Sequence, residues 1–92
     1  MSKIIRHIIT DDYMQMIPTR SDSIFLNIKQ QNLLSPAELY ILQDDSSPEV
    51  LKPILVLTQK QSIGIEDPDL LEFIGTFNKK GCDDLFMVFE LK

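Results

Sequence analysis

EDPDLLEFIGTFNKKG, residues 66–81, is the stretch on which the fold turns. Asp67 suits a helix N-cap, Pro68 the first helical position, and Asp69 the positive end of the helix dipole. Leu70, Ile74 and Phe77 recur at helical spacing, with Leu71 and Phe73 widening the apolar stripe. Lys79 and Lys80 suit the negative end, and Gly81 is a natural left-handed stop. The spacing predicts a helix with Gly75 inside it. LFMVFEL, residues 85–91, then reads as a strand rich in aromatic and branched side chains.

Upstream, PILVLTQ, residues 53–59, reads as an interior strand, with Ile54 and Val56 on one face and Leu55 and Leu57 on the other. Strand, helix, strand is a βαβ-like order, in a sheet that can be mixed. The link KQSIGIED, residues 60–67, is polar and holds Gly64. Ser35-Pro36-Ala37-Glu38 has the form of a capping box and predicts a short helix to about Gln43. Ser47-Pro48-Glu49 repeats that chemistry for one more turn, which Pro53 must end. Asp44 and Asp45 then fall in an exposed helix-to-helix turn.

SIFLNIK, residues 23–29, alternates as a half-buried strand does. KIIRHIIT, residues 3–10, reads as a strand from its branched side chains. Yet Ile4, Ile5, Ile8 and Ile9, continuing to Tyr13 and Met16, also fit one helix face. The expected fold class is α/β or α+β: a small mixed β-sheet of three to four strands with two to three short helices. A chain of 92 residues predicts a single domain, 1–92, able to bury ~60–65 % of its unfolded surface.

Fourteen acidic residues against nine basic ones give a net charge of −5. Binding to nucleic acid or to an anionic membrane needs clustered Lys and Arg, so neither is expected. A lone cysteine, Cys82, makes no internal disulfide and fits a reducing compartment. The opening residues lack a signal-peptide pattern, and no apolar run approaches the ~18–20 residues of a membrane span. A soluble, cytoplasmic protein is expected.

Catalytic constellations are missing from the reading. His7 has no second histidine, and Cys82 sits beside Asp83 and Asp84, which oppose a thiolate. No nucleophile elbow, phosphate loop or calcium loop occurs. Glu66 and Asp69 could hold magnesium, but helix capping explains the same residues. No enzyme activity, cofactor or metal is expected.

What stands out is the arrangement of charge. Asp11-Asp12, Asp44-Asp45, Glu66-Asp67 with Asp69, and Asp83-Asp84 each fall at an expected element boundary. Turns and helix starts favour aspartate, and a negative surface keeps a small domain soluble. Doublets gathered on one side would instead attract a basic surface at long range.

Small, acidic, cysteine-poor domains with spaced carboxylate doublets resemble the phage-encoded DNA-mimic inhibitors, such as the anti-restriction nuclease (Arn) proteins of T-even phages. The resemblance implies a dimer whose joined negative surface imitates a duplex. It also implies a host restriction nuclease or nucleoid-associated DNA-binding protein as target. Asp11, Asp12, Asp44, Asp45, Glu66, Asp67, Asp69, Asp83 and Asp84 would stand in for phosphates, and Glu49 completes the candidate partner-binding set. FNKKGCDDLFMVFEL, residues 77–91, also looks locally like the last helix and strand of barstar-type nuclease inhibitors.

A different reading starts from burial. PILVLTQ and LFMVFEL are apolar on both faces, and such a sheet needs cover on both sides. A homodimer is therefore expected. The alternative function is a small adaptor or subunit that docks by an apolar surface onto a larger protein assembly.

Overall fold

Strand alternation, not helical spacing, organises the chain. The computed structural model describes residues 1–60 and 68–92. Seven strands run through them: β1 Ser2–Ile9, β2 Met14–Arg20, β3 Ile24–Lys29, β4 Ala37–Asp44, β5 Glu49–Leu57, β6 Leu71–Phe77 and β7 Phe86–Leu91. The only helical element among the described residues is the 3₁₀ turn Pro68–Leu70. The strands form two antiparallel sheets, in the orders β1-β4-β3 and β2-β5-β7-β6.

The expected α/β or α+β class, with its mixed sheet and two to three helices, is thereby overturned. Residues 71–77 form β6, and β6 pairs antiparallel with β7, so the expected βαβ order is a hairpin. The helical spacing has a physical origin in a bulge. Register slips between Phe73 and Gly75, which breaks the two-residue period and puts Ile74 and Phe77, three apart, on the core side. Gly81 does adopt a positive φ of 82°, but it does so in the β6–β7 loop.

The capping box is overruled in the same way. Asn32 organises the turn before β4, its Oδ1 accepting from the Leu34 and Ser35 amides at 2.8 and 3.1 Å. Ala37, Leu39, Ile41 and Gln43 then point inward, and Glu38, Tyr40, Leu42 and Asp44 outward. Burial of one face of β4 outweighs the local helix signal. Glu49 opens β5, where a further helical turn was expected. The strand reading of residues 3–10 corresponds to β1, whereas β2 had no counterpart in the expectation.

A single core cluster lies between the sheets. Ile9, Leu39, Ile41 and Phe25 of one sheet meet Ile17, Ile54, Val56, Val88, Phe77 and Phe86 of the other. Phe77 stacks on Phe86 with centroids 5.0 Å apart. β3 and β6 approach closely along one side. Across the layers Thr19 of β2 donates to Oε1 of Gln43 on β4 at 3.0 Å. β2 thus stacks over β4.

Candidate functional site

The outer face of the four-stranded sheet is apolar across its width. Register places Met14 of β2 beside Leu55 of β5, Leu55 beside Phe89 of β7, and Phe89 beside Phe73 of β6. Next to that row, Met16 faces Pro53 and Leu71 faces Leu91. Pro18 with Leu51, and Leu57 with Met87, extend the surface at its two ends. None of these positions is charged.

Leu55 and Leu57 are buried on this face, away from the inter-sheet cluster. Met14, Met16, Leu51 and Phe73 remain 51, 49, 59 and 57 % exposed. Phe73 and Phe89 pack edge to face at 5.6 Å. The exposed apolar area is on the order of 500 Å², the size of the largest patches that monomers carry. Methionine and aromatic side chains are also those that interfaces favour.

The carboxylates lie elsewhere. Asp44 ends β4 and accepts from the Ser46 amide at 3.0 Å and its hydroxyl at 2.8 Å, with the Met1 ammonium 3.3 Å away. These bonds hold its carboxyl below the usual aspartate range. Asp45 contacts Lys3 and lies 3.9 Å from Arg20, while Gln43 Nε2 donates to it at 3.0 Å. The Lys3 hydrogen bond, first among these, lowers the Asp45 pKa. Glu49 lies 3.5 Å from the Arg20 guanidinium. Asp22, which the sequence reading did not single out, joins this corner by accepting from the Ser47 hydroxyl at 2.6 Å.

A second group gathers at the other end. Lys79 donates to Asp11 at 2.7 Å, which lowers the Asp11 pKa and raises that of Lys79. Asp12 accepts from Thr10 Oγ1 at 3.0 Å. Asp84 lies 3.3 Å from Lys60, and Asp83 is exposed in the same loop as Lys79. Asp69 sits in the 3₁₀ turn before β6. Glu66 and Asp67 lie outside the described residues, as does most of the link 60–67.

The Asp11–Asp12 and Asp44–Asp45 doublets flank opposite ends of β1 and β4, since Ser2 pairs with Asp44 and Ile9 with Ala37. Roughly 25 Å of strand separates them. Asp11, Asp44, Asp45, Glu49 and Asp84 each have a cation within 4 Å.

Remaining chemistry is sparse among the described residues. His7 sits half-buried on β1 opposite Leu39. Cys82 is half-buried against the core, its thiol 4.0 Å from Asp84 Oδ2. No group of three His, Cys, Asp or Glu side chains is placed to hold a metal ion among the described residues. No helix there is long and apolar enough to cross a membrane.

The sequence reading found the two-faced character of β5 and β7 but missed β2 and the outward Phe73. Met14, Met16 and Pro18 alternate with Gln15, Ile17 and Thr19, a period-two signal that was legible. Compared with known proteins, the chain matches no family model, no curated protein and no solved structure.

Proposed function

We propose that this protein is a non-enzymatic interaction subunit that assembles through the outer face of its four-stranded sheet, with a second copy as the occupant. The exposed Met14, Met16, Leu51 and Phe73 on that face carry this reading. An uncharged face lets two chains of net charge −5 meet without opposing like charges. The Arg20–Glu49 pair borders the face and supplies part of a polar rim. In an adaptor, such a dimer presents two copies of every other surface.

Light scattering at micromolar concentration tests this. A dimer is expected for the native chain, and a monomer with an unchanged circular dichroism spectrum for Met16→Lys combined with Phe73→Lys. A native monomer, or a double variant that stays dimeric, overturns the reading.

Acidic competition for the nucleic-acid site of a host DNA-binding protein is a second reading. It draws on the convergence of Asp22, Asp44, Asp45 and Glu49 at one corner. The cations already seated on Asp44, Asp45 and Glu49 reduce the field that corner presents. Binding that weakens steeply with salt and is lost in Asp44→Asn with Asp45→Asn would favour it. Insensitivity to both would remove it.

A further inference from the structure

Four strands bound the two sheets: β1 and β3 in one, β2 and β6 in the other. Three of these edges are guarded. β2 contains Pro18, while β3 and β6 each carry a bulge and press against one another at Ile28 and Gly75. β1 has neither device and carries only Lys3 and Arg6 as charge. Its eight residues pair with β4 without a break and include neither proline nor glycine. Among the described residues, no backbone hydrogen bond from a turn or loop reaches its other side. An open edge of this length is a template for another strand.

The side chains define what fits. On the outer face, Ile4 and Ile8 are 60 and 61 % exposed and flank Arg6. Arg6 itself makes only a loose pair with Glu38 at 3.6 Å. On the inner side Ile5 lines a cleft of about 570 Å³ together with Thr19, Gln43 and Val50, and the Arg20–Glu49 pair lies at its wall. That cleft lies between β1 and the ends of β2, β4 and β5.

We infer that β1 takes up an extended segment of another protein as an added strand. Apolar side chains of that segment lie opposite Ile4 and Ile8, and a carboxylate lies opposite Arg6. An inward apolar side chain enters the cleft beside Ile5. Backbone hydrogen bonds along the edge supply affinity, and the side-chain pattern supplies selectivity. A second copy of β1 is a poor occupant on charge. Symmetric antiparallel pairing centred on Arg6 sets two guanidiniums opposite each other, and every other register leaves Arg6 without an acidic partner, because β1 has none.

Titration of isotope-labelled protein with the synthetic peptide STLVEVLTS, and with STLVKVLTS as its counterpart, tests the assignment by NMR. The glutamate peptide is expected to bind about ten-fold more tightly, to shift the amides of Ser2–Ile9 and to slow their hydrogen exchange. Arg6→Glu is expected to reverse the preference and to stay folded with a slightly lower melting midpoint, because Arg6 is exposed and gives up only its pair with Glu38. Equal binding of both peptides, binding of neither, or no reversal in Arg6→Glu overturns the proposal. So do shifts centred on Phe73, or β1 shifts that track protein concentration with no peptide present.

Discussion

Gly75 on β6 lies so close to Ile28 on β3 that a methyl group at Gly75 would stand 3.0 Å from the Ile28 Cβ and 3.1 Å from its main-chain nitrogen. The two sheets meet here backbone to side chain, with no room for a larger residue. Gly75→Ala must push β6 away from β3, and the backbone nitrogen cannot move aside as a side-chain tip would. A loss of roughly 1–3 kcal/mol is expected from such overpacking. Urea denaturation checks it, and a midpoint equal to that of the native chain would contradict it.

Gln43 is 7 % exposed and holds two partners at once, accepting from Thr19 and donating to Asp45. Gln43→Ala strands the Thr19 hydroxyl, itself 7 % exposed. The expected cost is about 1–3 kcal/mol. Combining it with Thr19→Val should recover part of that loss, since the orphaned hydroxyl is then gone. A double-mutant cycle in urea measures the coupling, and strict additivity would argue against the network.

Asp11, Asp44 and Asp45 all have folded pKa values below the ordinary aspartate value. Each binds a proton more weakly in the folded chain than in the unfolded one. Their contribution is therefore complete above the unfolded pKa of about 4 and is lost as pH falls through the lower folded values. Thermal melts between about pH 5 and pH 2 should show the midpoint dropping, and Asp45→Asn should flatten that slope. The effect is shallow because these groups are solvated. A midpoint that rises on acidification would reverse the sign.

Leu39 is fully buried at the centre of β4. Leu39→Ala is expected to cost roughly 2–5 kcal/mol through lost burial and the cavity left behind. Ile4→Thr, on the exposed side of neighbouring β1, is expected to stay within about 0.5 kcal/mol. Calorimetry on the two variants separates inward from outward positions, and comparable losses would contradict the assigned faces.

Legibility in the sequence followed locality. β3, β5 and β7 were readable because their alternation or branched runs are continuous over the strand. β4 was misread because Ser35 and Glu38 mimic a helix start, while the burial that decides its conformation comes from β1 and β3 on either side. β6 was misread because its bulge converts a two-residue period into a three-residue one. Aspartates at turns were readable from turn chemistry. Their cations were not, since Lys79 reaches Asp11 across 68 residues of sequence. The apolar rows needed a register that only tertiary pairing provides.

The strand order also bears on how the molecule reaches its native state. β1 finds its neighbour in β4, and β2 in β5, so neither of the first two strands has a partner nearby in sequence. During synthesis the isoleucine-rich β1 stays unpaired until residue 44 has left the ribosome. Pairings this distant assemble in milliseconds to seconds rather than microseconds. Throughout that interval β1 is an unpaired apolar strand, the kind of segment prone to aggregation.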